Sequence, residues 1–231
     1  MRTVHLAAAL LLSLAAAHAQ EVRKVAFRTL GLEPLPGLSE VHLPAATPKG
    51  KAVAVPILSS SLSPVVEGEF KGDEAVFFAK AGDTTAPVAK GKLAKSKRQM
   101  LFFKPVKNEQ GEGSYEIHAF DDDVTAFKLG SIRAINMSPK EIRFNMSGKE
   151  MPPLASGGNA VYPQAKDADE FGMYQVTIEA KGDGDTWAKV YSASWKASDR
   201  RREIVFIEYE DRFKQWLVKL MSDDPPWLQG K

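Results

Sequence analysis

The stretch Tyr174-Gln175-Val176-Thr177-Ile178-Glu179-Ala180 alternates apolar and polar residues without interruption. Side chains of a β-strand point alternately to its two faces, so the apolar residues of this stretch share one face and the polar residues share the other. The pattern predicts a strand in a sheet that has one dry face and one wet face.

Further segments have the same short, β-branched or aromatic character, and Gly, Pro, Asp and Asn separate them, which is typical of a many-stranded protein. We therefore predict an all-β, antiparallel fold with strands over residues 52–58, 74–79, 99–104, 115–120, 131–136, 142–146, 174–180, 187–195, 203–209 and 215–221. The region from Phe213 to Met221 is ambiguous, because its apolar residues also fit one face of a helix.

An internal repeat favours a strand for that region. The matched segments, in chain order, are 79–83 with 180–183, 97–103 with 201–207, 116–120 with 217–221, and Asp122-Asp123 with Asp223-Asp224. These matches, in one order and about a domain length apart, predict two copies of one unit. Chance matches at the turns of two similar β domains are the alternative interpretation.

The repeat divides the chain into two tandem β-sandwich domains of the immunoglobulin-like type, residues 20–128 and 129–231, with a boundary near 123–130. The second domain ends in a tail that contains proline and tryptophan. A hydrophobic content of 44% supports a packed core.

The first residues have the organisation of a secretory signal peptide. Met1-Arg2 precedes an apolar run over 6–17 whose only polar residue is Ser13, and Ala17-His18-Ala19 supplies a small-x-small cleavage site. The run is shorter than the roughly 20 residues of a membrane-spanning helix, and no second run approaches that length. We predict cleavage after Ala19, no transmembrane segment afterwards, and a periplasmic or secreted bacterial protein.

Composition excludes several classes of protein. The absence of cysteine excludes a lipid-anchored lipoprotein and a disulfide scaffold. The chain carries 31 Lys and Arg against 29 Asp and Glu, and signal cleavage would remove only Arg2 from this balance. Nucleic acid is an unexpected partner, because phosphate binding usually needs a clear basic excess.

Residues for catalysis are scarce. After residue 19 only His42 and His118 remain as histidines, no serine lies in a Gly-x-Ser-x-Gly turn, and zinc ligation lacks donors. Asp183 and Asp185 form a D-x-D pair without the further ligands of a calcium loop, so a hairpin turn is favoured. We predict a protein that is not an enzyme and has no cofactor or metal. Paired carboxylates of the glycosidase type stay open, because their separation is a three-dimensional property.

Two basic clusters precede equivalent strands of the repeat. They contain Lys97 and Arg98 in the first copy, and Arg200, Arg201 and Arg202 in the second. One interpretation is a solvated turn that discourages edge pairing, and the other is recognition of carboxylate or phosphate, as in an acidic sugar. We take these five residues as candidate ligand-binding residues.

Tryptophan occurs only in the second half of the chain. Trp187, Trp195 and Trp216 fall in predicted strands and are expected to fill the core, although surface aromatics on a sandwich also stack on sugar rings. Trp227 follows Asp223-Asp224-Pro225-Pro226, which cannot form a helix. It either fills a groove on its own domain or is presented to a partner, and it joins the candidate ligand-binding residues.

The segment Gly130-Ser131-Ile132-Arg133-Ala134-Ile135-Asn136-Met137-Ser138-Pro139, followed by Ile142-Arg143-Phe144 and Gly148-Lys149, contains an R-x-x-N-x-S-P stretch. It resembles the opening of small exported bacterial β-sandwich domains of uncharacterised families and, more distantly, the periplasmic adaptor of alginate acetylation. The resemblance implies a non-catalytic envelope module that binds protein or polysaccharide. Asn136 is expected to bond the backbone ahead of the Ser138-Pro139 turn.

Two functional hypotheses follow from these observations. The first is a non-catalytic, exported binding or assembly module whose partner is an envelope protein or a polysaccharide. The alternative is a polysaccharide-binding module or a polysaccharide-active enzyme, which the arginine clusters and the tryptophans favour.

Overall fold

The computed structural model describes residues 21–47 and 50–228, so the predicted signal peptide lies outside the described residues. These residues form sixteen β-strands and one 3₁₀ turn, Pro226–Leu228, and contain no α-helix. The all-β prediction is confirmed, and the ambiguous region around 215–221 is a strand. No helix in the described part is both long and apolar enough to cross a membrane.

The first eight strands lie between residues 22 and 121. They are β1 (Val22–Gly31), β2 (Glu40–Leu43), β3 (Val53–Pro56), β4 (Val66–Lys71), β5 (Glu74–Phe78), β6 (Pro87–Lys92), β7 (Arg98–Lys107) and β8 (Gly113–Asp121). The other eight are β9 (Ser131–Asn136), β10 (Ile142–Met146), β11 (Lys149–Glu150), β12 (Asn159–Pro163), β13 (Met173–Lys181), β14 (Trp187–Lys196), β15 (Arg202–Glu210) and β16 (Gln215–Asp223).

The two sets of strands pair in the same order. The second set forms two four-stranded sheets, β11-β10-β13-β14 and β12-β9-β15-β16. The first set has the order β3-β2-β5-β6-β8-β7-β1-β4, which joins the two equivalent sheets through β6 and β8 into one nearly closed barrel. Each strand of the first set therefore has one counterpart in the second, from β1 with β9 to β8 with β16.

The pairing register of the strands supports the equivalence of the two sets. In the first set β1 runs parallel to β7 with Phe27 opposite Gln99, and in the second β9 runs parallel to β15 with Ile132 opposite Glu203. The hairpins β5–β6 and β13–β14 both carry an irregularity, directly after Phe77 and directly after Ile178 respectively. The antiparallel prediction needs correction, because β1–β7, β9–β15 and β6–β8 are parallel pairs.

A glycine lies where the first set closes. A Cβ atom at Gly91 would lie 2.1 Å from the carbonyl oxygen of Ile117, so the close approach of β6 to β8 requires glycine there. The positions equivalent to Ala89 and Gly91 in the hairpin register are Tyr191 and Ala193. β14 carries these larger side chains and forms no ladder with β16, so the second set stays open.

Six strands were not predicted, namely β1, β2, β4, β6, β11 and β12. β2 and β11 are short, and β6 contains proline and glycine. β1 is long, but Arg28 and Thr29 interrupt its apolar residues although both are buried. Sequence alternation cannot identify a strand that is buried on both faces.

Three apolar clusters organise the interior. One lies inside the barrel and includes Phe27, Phe77 and Phe103, and a second lies between the two sheets of the second set and includes Phe144 and Trp195. Asn136 closes the turn that follows β9, since its Oδ1 accepts hydrogen bonds from the backbone N–H and the hydroxyl of Ser138. This role was expected from the sequence.

The third cluster, called the third core below, joins the two sets. It contains Leu30, Met100, Phe102, Phe120, Phe127, Ile135, Ile204 and Phe206. The rings of Phe102 and Phe206, which are equivalent in the repeat, lie 5.2 Å apart. The two sets thus contact each other through equivalent faces, as the subunits of a twofold dimer do.

We predict that Gly91→Ala destabilises the protein by about 1–3 kcal/mol, because the new methyl group overlaps the backbone of β8. Urea unfolding of the full chain measures the change. Ala193→Gly at the equivalent position is the control, with a cost of about 0.5–1 kcal/mol from backbone entropy. Equal losses in the two variants would contradict the role of Gly91 in closing the barrel.

Candidate functional site

Four charged residues meet at the junction between the two sets of strands. They are Arg28 in β1, Asp122 after β8, Arg202 at the start of β15 and Asp223 at the end of β16, and we call them the ion network. Each is at most 3% exposed. Two positive and two negative groups make the network neutral, which is the condition for burying charge.

Each carboxylate of the network bridges both arginines. Arg28 donates from Nη1 to Asp223 over 2.7 Å and from Nη2 to Asp122 over 2.8 Å. Arg202 donates from Nε to Asp223 over 2.9 Å and from Nη2 to Asp122 over 2.5 Å. The planar guanidinium suits such multiple hydrogen bonds to carboxylates.

Burial and ion pairing shift the pKa values of the network residues in opposite directions. Burial alone would lower the pKa of Arg28, but hydrogen bonding and charge from Asp223 and Asp122 raise it above its ordinary value. Burial raises the pKa of Asp122, and the two guanidiniums act in the opposite direction. The charges therefore depend on one another, and removal of one leaves the rest unbalanced.

Arg202 was predicted to bind a ligand, and its position corrects that prediction. The residue is 0% exposed, its Nη1 donates to the carbonyl of Phe127 over 3.1 Å, and its guanidinium lies 4.3 Å from the centre of the Phe127 ring. Because protein groups surround the guanidinium, it has no face available to a ligand.

The other two arginines of that cluster have different surroundings. Arg200 is exposed, whereas Arg201 is partly buried with its Nε 2.9 Å from a carboxylate oxygen of Glu203. The three consecutive arginines therefore form no single surface patch. Of the three arginines, only Arg200 is exposed to solvent, as the interpretation of the cluster as a solvated turn expected for all three.

Glu203 is buried, and the equivalent residue of the first set, Gln99, is buried but uncharged. Its side chain is 4% exposed and accepts a hydrogen bond from the Ser222 hydroxyl over 3.1 Å. Burial raises the pKa of the Glu203 carboxyl, and Arg201 partly offsets this effect. The counterpart Gln99 uses its amide to bond the backbone of Ala94 and Ser96.

Trp227 lies between two arginine side chains of the first set. Its ring centre is 4.8 Å from the guanidinium carbon of Arg28 and 5.3 Å from that of Arg98. The tail of the chain thus crosses to the first set, rather than to its own domain as one interpretation had it. Trp227, Arg98 and Arg202 gather around Arg28, which the sequence did not single out.

Lys97 and Arg98 remain exposed and line a groove of about 460 Å³ on the outer side of β1 and β4. Lys24, Glu67 and Glu69 also line it, and Lys24 pairs with Glu69 over 3.1 Å. The groove has mixed charge, so its attraction for an anion is weaker than the basic sequence cluster suggested.

The remaining tryptophans divide between core and surface. Trp195 is 4% exposed and packs in the core, and Trp216 is partly buried beside Tyr209. Trp187 is half-buried, and the guanidinium of Arg143 lies 4.5 Å from its ring centre. Trp187 is therefore at the surface, although the sequence favoured the core.

Arg143 organises a small polar surface beside Trp187. Its Nε donates to Glu179 over 2.6 Å, and its Nη1 lies 2.9 Å from a carboxylate oxygen of Glu150. The sequence signal for this cluster was weak, because the three charged residues come from three different strands. Across the described residues, no group of three or more His, Cys, Asp or Glu side chains could hold a metal ion.

We predict that Arg202→Met lowers the free energy of unfolding by about 3–5 kcal/mol, since it leaves two buried carboxylates with one arginine. Arg200→Ala is the matched control and should stay within about 0.5 kcal/mol of the original protein, because Arg200 is exposed. Chemical unfolding of both variants makes the comparison. A small effect of Arg202→Met would contradict the structural role of the network.

Glu203→Gln should increase stability at pH 8 more than at pH 4. The folded pKa of Glu203 is raised, so its ionisation costs stability as the pH rises from the unfolded pKa through the folded pKa, and glutamine removes this cost. Thermal unfolding of both proteins across this pH range tests the sign. A gain that is larger at pH 4 would contradict the proposed burial penalty.

The chain was also compared with known proteins. No protein-family model matches it, and no curated protein is detectably similar to it in sequence. Arguments about its function therefore depend on the geometry of its own residues.

Proposed function

We propose that the protein is a non-catalytic, exported binding or assembly module of the bacterial envelope, in which the nearly closed barrel of the first set (the first module) and the two sheets of the second set (the second module) act as one body. The observation that carries this proposal is that the buried charged residues of the junction pair with one another. Arg28, Asp122, Arg202 and Asp223 bond to one another, both within each module and between the modules.

The junction favours a fixed arrangement of the modules. Apolar packing in the third core, the ion network, and the Trp227 ring on Arg28 all connect the first set of strands with the second. Enzymes with two domains commonly hold their substrate in a cleft between the domains. Here Phe102 and Phe206 pack together at that position.

The two modules expose different surfaces, and the difference supports a binding role for the second module. The first module closes through β6 and β8, whereas β14 and β16 are edge strands of their sheets. Exposed edge strands are common sites of association between proteins. The export proposal comes from residues 1–19 of the sequence.

A polysaccharide-binding module or polysaccharide-active enzyme is the second candidate. The groove with Lys97 and Arg98 supports it, and so does the surface cluster of Trp187 with Arg143, because aromatic rings and arginines are both used to bind acidic sugars. The mixed charge of the groove makes this candidate the weaker one.

Crosslinking of the full chain in the intact native envelope tests the first candidate. We expect one or a few discrete adducts of higher mass when the protein is present at its natural expression level, because an assembly module is mostly bound to its partner. A parallel screen of the purified protein against neutral and acidic glycans, with Lys97→Ala/Arg98→Ala as the matched variant, tests the second.

The outcomes separate the two candidates. Salt-sensitive glycan binding that is lost in the double variant would replace the assembly proposal with the carbohydrate proposal. Turnover of a polysaccharide that depends on one carboxylate would overturn the non-catalytic proposal. A chain without adducts in the envelope would overturn the assembly proposal.

A further inference from the structure

The outer edge of β14 offers backbone groups that no neighbouring strand uses. β14 pairs with β13 and is the last strand of its sheet in the described part of the chain. The Gln175 carbonyl accepts a hydrogen bond from the backbone of Ser147 beyond the end of β10, so Gln175 and Thr177 face away from β14. Their neighbours in β14, Ser194 and Ser192, therefore direct their backbone N–H and C=O groups to the free edge.

The part of this edge from Tyr191 to Trp195 lacks the features that usually prevent pairing with another chain, since the irregularity at Val190 and the lysines of β14 lie outside it. β14 has ten residues, contains no proline, and carries the small side chains of Ser192 and Ser194 at its centre. Natural edge strands are commonly protected by proline, by a central charge or by short length. Lys189 and Lys196 lie towards its ends, and neither forms an ion pair within the described residues.

The first module provides an internal example of how such an edge is filled. The equivalent strand β6 pairs in parallel with β8, with Ala89 opposite Tyr115 and Lys90 opposite Glu116. The hairpin register makes Lys90 the counterpart of Ser192. β8 alternates apolar with polar residues and carries acidic side chains at Glu116 and Asp121.

Beside the free edge, apolar side chains form the surface on which an added strand would rest. Val190 and Tyr191 of β14 and Trp216 and Val218 of β16 are only partly buried and pack on the second core. A strand that binds there would bury apolar surface in addition to forming backbone hydrogen bonds, which is how strand addition gains both affinity and specificity.

We propose that the free edge of β14 binds an extended segment of a partner protein, which joins the sheet as an additional strand. The segment alternates apolar and polar residues as β8 does, and it carries acidic residues that pair with Lys189 and Lys196. This inference rests on the proposed binding function and names the chemistry of the partner.

A synthetic peptide with the sequence of β8, Gly113–Asp121, is the probe, and the full chain is the receptor. We expect saturable binding, with slower hydrogen exchange at the amides of Ser192 and Ser194. Ser192→Pro/Ser194→Pro should weaken binding about tenfold or more, since proline has no N–H group to donate. Ser192→Ala/Ser194→Ala, which also lacks the hydroxyls but keeps the N–H groups, should bind as the original does.

A second double variant guards against misfolding of the proline variant. Lys189→Glu/Lys196→Glu keeps the backbone intact and should weaken the acidic peptide several-fold, and low salt should enlarge this difference. No saturable binding, or binding that both the proline and the glutamate variants retain, would overturn the inference.

Two further results separate this inference from its alternatives. A dimer of the full chain that the proline variant abolishes would assign the edge to a second copy and overturn the partner-strand proposal. Envelope adducts that persist unchanged in the proline variant would leave the assembly function standing and would overturn only the assignment to β14.

Discussion

The buried pairing of Arg28, Asp122, Arg202 and Asp223 is the interaction on which the rest of the structure depends. Removal of four charges from water is costly, and the mutual hydrogen bonds offset that cost only when all four partners are present. Arg28 pairs with Asp122 inside the first module, and Arg202 pairs with Asp223 inside the second. Docking of the modules adds the cross pairs Arg28–Asp223 and Arg202–Asp122, so the network links the two modules.

The two copies of the repeat differ at equivalent positions, in the network and elsewhere. Register makes Arg98 the counterpart of Arg202, yet Arg98 is exposed beneath Trp227 whereas Arg202 is enclosed by carboxylates. Similarly, Gly91 permits a closed barrel, and Ala193 with its neighbour Tyr191 leaves an open seam. Equivalent positions thus hold different side chains in closed and open surroundings, while the order of the strands is unchanged.

Sequence patterns predicted ten strands and the repeat because both depend on local alternation and turns. They could not place β1, where Arg28 is buried by partners 94 and 195 residues away along the chain. The same limitation affected Arg202, which a local interpretation treats as a solvated turn residue. Burial of a charge depends on the distant groups that neutralise it, so neither the network nor the contact of Trp227 with Arg98 could be read from the sequence.

The asymmetry has a functional consequence for the two modules. A sheet that closes on itself has few free backbone groups, so the first module is suited to holding the tail and the junction. The second module retains the edge of β14, on the sheet that takes no part in the junction, and a partly exposed apolar seam between β14 and β16. The binding of a strand at the edge of β14, as proposed, would therefore leave the contact between the modules intact.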